Sequence, residues 1–474
     1  MSGWGSMYLN TVSAMRNQST TLAGLQQQIS TGMRVSQASD DPASALKIMA
    51  LRCKSASLDT YLNNLDQTSH TLSTSMNAMQ QVSTSLIRVR ELYTQASGGI
   101  YSDANRASMA AEVDTLLEQA FSLANTSNLG QYSFAGQATT TPPYVAQRVD
   151  GEITAVQYAG SLEQMSVPVS PGTNIASQMV GDEIFRVSDQ APPQILGSTG
   201  AVPGMLPSTV RGDLWLTVED GGTTTYDPAS GLAAGASSAG QDTIVGAHTI
   251  TVNASDSTIR LDDGELISFT GAEADLELTN ASGQSIHVDM TGWVGAGGLW
   301  DVSRSVKLSL DDGATTTTVT DFSAEAAVID SQTGGVLMVD PSAISATGLD
   351  SVTVPGSHDL FGTLIHLRDV LRNTKSLDSS QQQEVLSQVG TALSTVTDNL
   401  TERLAAVGSR LQALDTMTTN VQTIRDNADD QAALLQDADV VDVATKLARS
   451  QNLYEMTLAT ASKLLSLSLL DFIR

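Results

Sequence analysis

The chain has 474 residues, a net charge of -27, 41 % apolar residues and 16 % charged ones. That apolar content excludes disorder throughout. The acidic balance excludes nucleic acid, whose phosphates need basic clusters, and adhesion to anionic membranes. The length suits about two to four domains. The lone cysteine, Cys53, cannot close an internal disulfide or a thiolate zinc site. No apolar run reaches the roughly 18 residues of a membrane span. No basic and apolar leader precedes Arg16, so export without a cleavable signal peptide, or a cytosolic location, is expected.

Proline breaks helix interiors, because it lacks the amide donor and clashes with the preceding turn. Of the 12 prolines, all but Pro42 fall between Pro142 and Pro355, so both ends are free to form very long helices. The first arm spaces Tyr8, Val12, Met15, Leu22, Ile29 and Met33 by threes and fours, with Ser19 and Gln26 at intervening seam positions. This is a heptad pattern with polar interruptions. Gly32 interrupts it. Ser39, Asp40 and Asp41 then offer capping oxygens ahead of Pro42, which suits a first helical turn. A second helix is expected over 43–96, ended by Gly98-Gly99, and a third over 102–128.

From Tyr132 onward prolines and glycines punctuate short runs. Ile153 to Tyr158 and Met165 to Val169 read as β-hairpins, and the runs 214–218, 249–252 and 336–339 as strands. Asp262-Asp263-Gly264 and Asp311-Asp312-Gly313 read as hairpin turns, since Asp and Gly accept positive φ. The two resemble a weak internal repeat. Residues 186–355 hold 22 acidic and 5 basic side chains, a net of -17, whereas 1–44 hold two of each sign. The acid therefore sits on a solvent-facing middle and the arms are nearly neutral.

Helix returns at Asp359. A long arm after Ser379 carries Val385, Val389, Ala392, Val396, Leu400, Val407, Leu411, Leu414 and Val421. The last segment has its own seam of Val440, Ala444, Leu447, Tyr454, Leu458, Ala461, Leu465 and Phe472, with Gln451 and Ser468 as polar members. Such stripes are buried most simply against each other. The expected fold is α+β: a long antiparallel helical bundle and coiled coil from both termini, with a β-rich central insert. Its expected parts are terminal arms 1–44 plus 436–474, a helix bundle with hairpins over 45–185 plus 357–435, and an acidic outer insert over 186–356, in one or two subdomains.

Gln28-Ile29-Ser30-Thr31-Gly32-Met33-Arg34-Val35 followed by Ala38-Ser39-Asp40-Asp41-Pro42-Ala43 resembles the N-terminal motif of the flagellin superfamily. Ala406-Val407-Gly408-Ser409-Arg410, Asp437-Ala438-Asp439-Val440-Val441 and the leucine-rich end resemble its C-terminal half. Within the superfamily, Asp41-Pro42, Asn128-Leu129-Gly130-Gln131-Tyr132-Ser133-Phe134-Ala135-Gly136 and Pro142-Pro143 resemble the branch at the junction of hook and filament. The resemblance covers 5–185 and 357–474.

It implies a structural, non-catalytic protein, exported to the extracellular flagellum by the type III route. Such a protein self-assembles through terminal helices into a ring or helical layer, and those helices are unstructured in the monomer. Implied partners are other copies, the hook-side junction protein, flagellin and an export chaperone on about 439–474. Leu22, Ile29, Met33, Tyr454, Leu458, Leu465 and Phe472 are the expected assembly contacts. Ser39, Asp40, Asp41 and Pro42 are the expected bend, and Gly408 and Arg410 a bundle motif in which Arg410 makes a polar contact. Filament flagellin is the nearest alternative. An adhesin or enzyme carried by the insert is an alternative of another class.

No catalytic, cofactor or metal site emerges. His358 and His366 are eight apart, too far for a two-histidine face on one helix. Asp262-Asp263 lacks the ligand spacing of a calcium loop. Arg211-Gly212-Asp213 reads as a chance tripeptide in a turn, and Cys53 as a small packed residue on a helix.

Overall fold

The computed structural model describes residues 3–98, 102–128 and 130–472, with side-chain detail for 6, 9–98, 102–128 and 130–463. Tyr8, Leu465, Ser468 and Phe472 of the expected seams have side chains outside that range, and Gly99 and Leu129 are outside the described residues. The first part of the chain forms α1 (Gly3–Thr31), α2 (Pro42–Ser97) and α3 (Asp103–Ala124). α3 ends four residues before the expected 128, because Asn125 turns outward. Its side chain donates to the Tyr144 carbonyl at 3.1 Å and accepts from the Tyr144 amide at 3.0 Å.

A short ladder, β1 (Ser127–Asn128) with β2 (Gln131–Tyr132), leads to two hairpins and a one-turn helix. The hairpins are β3 (Tyr144–Val149) with β4 (Glu152–Tyr158), and β5 (Ser166–Ser170) with β6 (Thr173–Ala176), and the helix is α4 (Gly181–Phe185).

The insert follows as β7 (Gln194–Leu196), β8 (Val202–Pro203), β9 (Gly212–Tyr226), β10 (Ala233–Ala234), α5 (Ser238–Gln241), β11 (Gly246–Asn253), β12 (Thr258–Leu261) and β13 (Ile267–Ser268). It continues as β14 (Leu276–Thr279), β15 (Ser285–Asp289), β16 (Gly298–Ser309), β17 (Thr317–Val319), β18 (Ala326–Ile329), β19 (Val336–Asp340) and β20 (Gly348–Val354). The helices α6 (Leu360–Arg372), α7 (Ser379–Gln436) and α8 (Val440–Phe472) complete the chain. The architecture is α+β, with long helices at both ends of the chain and β-rich structure in its middle.

The central sheet is antiparallel, ordered β13-β12-β11-β16-β9-β20-β7, with β17 also on β16. Between Arg304↔Thr224 and Val306↔Asp220, β9 holds two more residues than β16. Gly221 and Gly222 absorb them. An added Cβ on Gly221 would lie 2.3 Å from Ser305 Oγ, and Gly222 has φ +80°.

The sheet serves two separate cores. Leu216, Val218, Val306, Leu308, Val352 and Val354 pack with Leu337 and Val339 in one. Ile250, Val252, Ile259, Leu261 and Val302 pack with Leu278, Ile286 and Val288 in the other. The Asp-Gly segments lie between β12 and β13 and between β16 and β17, where Asp262 (φ +48°), Asp312 (φ +54°) and Gly313 (φ +88°) are left-handed. Asp262 Oδ2 lies 2.7 Å from His248 Nδ1, and Oδ1 accepts the Thr249 amide at 2.9 Å. Its oxygens are occupied by β11. Among the described residues no group of three or more His, Cys, Asp or Glu is arranged to hold a metal ion.

The chain divides into two compact units. The first comprises Met1–His70, Ser166–Ile175 and Arg410–Arg474. In it α1 packs antiparallel to α8, and the early part of α2 meets the late part of α7, with Arg52 Nη2 2.6 Å from Gln436 Oε1. The second comprises Thr71–Met165 and Ala176–Ser409. There the late part of α2 meets the early part of α7, with Arg90 Nη2 3.1 Å from Ser394 Oγ, and α3 packs on α6.

The second unit holds an aromatic hub. Phe121, Phe134, Phe185 and Phe361 gather around Tyr144 and Tyr158, which places four of the chain's seven phenylalanines in one cluster. Phe134 and Phe185 meet edge-on at 5.3 Å and Tyr144 lies 4.9 Å from Phe361, the offset and edge geometries that ring quadrupoles favour. The insert leaves and rejoins the helices here. Arg186 bridges Asp359, and the Val187 amide donates to the His358 carbonyl at 2.9 Å.

Candidate assembly interface

The half-buried positions of α1 include Val12, Met15, Gln18, Leu22, Leu25 and Ile29, and those facing inward on α8 are Val443, Leu447, Ser450, Tyr454, Thr457 and Ala461. Steps of three and four keep each stripe on one side of its helix. Thr457 Oγ1 donates to Gln18 Oε1 at 2.8 Å, a polar pair within the seam that fixes the antiparallel register. Leu22, Ile29 and Tyr454 therefore lie on the stripes as expected from the heptads. Ser19, Gln26, Ala444 and Gln451 do not: they are exposed, and Gln18, Leu25, Val443 and Ser450 hold those inner positions. The seam accepts polar members by pairing them, so an apolar count puts the register slightly off.

Leu458 is 43 % exposed and Met33 is 37 % exposed, so neither is covered within the chain. They belong to a wider set of uncovered apolar side chains in this unit, including Leu46 and Met49 on α2, Leu434 on α7 and Val441 and Met456 on α8. Cys53 is also exposed rather than packed.

The bend between α1 and α2 is built by two carboxylates. Gly32, at φ +71°, ends α1. Asp40 Oδ2 then accepts the Ser36 and Gln37 amides at 3.0 and 2.8 Å, which closes the loop. Asp41 caps α2, accepting the Ser44 amide at 3.1 Å and the Ser44 hydroxyl at 2.6 Å, and Pro42 takes the first helical position. The Ser44 bonds, with the Arg34 guanidinium 3.2 Å away, hold the Asp41 carboxyl down at about 2. Ser39 adds no hydrogen bond to this loop.

This bend is stitched to the one between α7 and α8, a feature that residue patterns did not reveal. The Arg34 and Val35 amides both donate to the Gln436 carbonyl, at 2.7 and 3.2 Å, and the Ala438 amide donates to the Gly32 carbonyl at 2.9 Å. Met33 and Asp437 form an antiparallel bridge. The Arg34 guanidinium reaches across to the Leu435 carbonyl at 2.7 Å while holding Asp41, so one side chain ties both turns. The signal lay in the motif residues themselves: Arg34 and Asp437 come from its two halves and end up beside each other.

The bundle motif is less informative. An added Cβ on Gly408 would meet nothing within 4 Å, so no contact there requires glycine. Arg410 was expected to make a polar contact, yet its Nη1 is buried without a hydrogen-bond partner.

The two chain ends thus form an antiparallel pair joined through interlocked bends. Residues 5–139 match the model of the bacterial flagellin N-terminal helical region. Among similar proteins, flagellar hook-associated protein 3 of Escherichia coli is 29 % identical over 180 residues, which covers 38 % of this chain and 55 % of that one. The protein of the same name from Salmonella typhimurium is 29 % identical over 194 residues, 40 % of this chain and 59 % of that one. The chain thus spans a little over half the length of these curated relatives. A crystal structure of FlgL from Xanthomonas campestris aligns with 81 % of this chain and 99 % of its own, at 18 % identity and a TM-score of 0.42.

Proposed function

We propose that this chain is a structural subunit of the bacterial flagellum and forms the junction layer between hook and filament by self-assembly of its terminal helices. The observation that carries the proposal is the α1–α8 pair with its uncovered apolar side chains. Two helices packed along one stripe leave their other sides in water, and isolated helices are marginal without further packing. Leu458, Met456 and Val441 are large apolar residues left on that outer side. Each such side chain contributes about 1.5–3 kcal/mol when fully buried, which copies of the same chain would supply. The similarity to hook-associated protein 3 in two organisms supports the junction over other flagellar positions.

On this reading Leu22, Ile29, Met33, Tyr454, Leu458, Leu465 and Phe472 make the assembly contacts. The bend at 39–42 separates the arms 1–44 and 436–474 from the bundle, and the insert faces outward. The partners are other copies, the hook-side junction protein, flagellin, and a chaperone that holds about 439–474 before export without a cleaved leader. The role is structural rather than catalytic.

Antibody against the insert, imaged on intact flagella, tests the location. A single band at the hook boundary is expected. Label along the whole filament would instead favour filament flagellin, a reading supported by the 27 % identity over 132 residues to the flagellin of Listeria monocytogenes. Removal of residues 450–474 is expected to leave hooks without filaments, and normal swimming of that strain would sink the proposal.

A further inference from the structure

Where the insert meets α6, several buried side chains come together from separate segments. Asp213 and Trp215 stand two apart on β9 and so share a face. Thr353 of β20 donates its hydroxyl to Asp213 Oδ1. His358 precedes α6, with Nδ1 3.5 Å from Asp213 Oδ2. His366, on α6, lies against Trp215 with ring centroids 5.4 Å apart. All but Trp215 have buried side chains, and while His358 Nδ1 faces the Asp213 carboxylate, Nε2 of His366 is orphaned, with no hydrogen-bond partner. Buried polar atoms are rarely left so, and each calls for an explanation.

We infer that this joint is acid-labile: protonation of His366 releases α6 from β9 and loosens the root of the insert. The ionisable groups acting on His366 are Asp213 on β9, Asp369 on its own helix and His358 on the segment before it. Asp213 and Asp369 favour a charged imidazole, but each is already engaged elsewhere and burial outweighs them. Asp369 is already held by the Arg368 guanidinium at 2.8 Å. Asp213 is shared between Thr353 and His358. Asp359, half-buried close by, caps α6 by accepting the Gly362 amide at 2.8 Å. A proton on His366 would place its charge in an enclosed site with no acceptor at Nε2.

The electrostatics agree in direction. Burial drives the His366 pKa below its ordinary 6.5, against the pull of Asp213 and Asp369. Burial alone would raise the Asp213 carboxyl, but His358, His366 and Thr353 together hold it below the carboxylate range. Both groups therefore stabilise the packed joint above their unfolded pKa values. His366 begins to withdraw that support as the pH falls below about 6.5, and Asp213 only below about 3.8.

Hydrogen exchange of the full chain tests this. After correction for intrinsic rates, amides of α6, β9 and β20 should open about tenfold more often at pH 5.5 than at pH 7.5, the factor set by a proton taken up with an unfolded pKa near 6.5. H366Q should abolish the difference and H358Q should keep it. An acid response that survives in H366Q, or is absent in the native chain, overturns the inference. Should H366Q fail to fold, the His366 imidazole resonance of the native chain decides. A ring still neutral at pH 5.5 in the packed state supports the inference, and a midpoint at or above 6.5 with α6 still protected overturns it.

Discussion

Phe361→Ala should loosen the root of the insert more than any other single ring deletion. Phe361 is 1 % exposed and stands at the second position of α6, 4.9 Å from Tyr144, 6.1 Å from Phe185 and 6.4 Å from Phe121. Removing the ring takes away roughly 200 Å² of buried apolar area, or about 5 kcal/mol at 25 cal/mol per Å² as an upper bound. Phe→Ala changes in cores cost about 3–5 kcal/mol once the residual cavity is included. A loss near 4 kcal/mol is expected here, because Tyr144, Phe185 and Phe121 approach from different elements and cannot all move inward. Phe361→Leu keeps most of the volume and should cost about 1–1.5 kcal/mol. Hydrogen exchange of α6 at pH 7.5 reads both values locally, and 4 kcal/mol is roughly a thousandfold rise in opening. A loss under about 1 kcal/mol for Phe361→Ala, or equal losses for Ala and Leu, would refute the view that the hub holds the insert.

Gly136→Ala should destabilise by more than about 2 kcal/mol, since left-handed backbone penalises a side chain and the new Cβ would stand 2.4 Å from the Ser161 carbonyl and 2.6 Å from that of Glu163. A thermal midpoint equal to the native one would contradict it. The Asp41 carboxyl should titrate at about 2 by NMR. Its capping of α2 then persists as the pH falls below the ordinary carboxylate value and is lost toward 2, and a midpoint near 4 would show that the cap is not formed. Met456→Asp and Leu458→Asp, both on exposed positions, should change the stability of the lone chain by no more than about 0.5 kcal/mol yet stop its assembly. Light scattering reads the assembly, and native polymerisation of both variants would count against the outer face of α8.

The helical ends were legible because two signals agree there: apolar residues recur every three or four positions, and proline is absent. Finer detail was not legible for a physical reason. A seam that contains a hydrogen-bonded pair such as Gln18–Thr457 does not follow apolar residues alone, so Ser19 and Gln26 were expected where Gln18 and Leu25 lie. The strands at 214–218, 249–252 and 336–339 show the alternation of half-buried β structure. Their order does not, because β16 pairs with β9 across some 80 residues and nothing local encodes that. Arg34 illustrates the same limit. Its sequence neighbours identify a motif, but its bonds to Leu435 and Gln436 are long-range and belong to the folded chain alone. His358 and His366 were set aside for their spacing on a helix, and Asp213, far away in sequence, is what joins them.

The way the insert is attached explains how one chain combines neutral helical ends with so acidic a middle. Its entry and exit lie side by side at Arg186 and Asp359, so the helices need no distortion to accommodate it. Both of its cores are closed by residues of the insert itself, between Ile195 and Val354 in one and Tyr226 and Val302 in the other. It therefore pays its own ordering entropy and places no demand on the helical seams. Net negative charge is tolerable where the surface meets only water, and it keeps such a surface from associating. The same charge on α1 or α8 would oppose close approach of identical copies, and there the chain is nearly neutral, with Arg16 alone on α1 and three acidic against three basic residues on α8. On the proposed function, segregating charge in this way would let solubility and self-association reside in different parts of a single polypeptide.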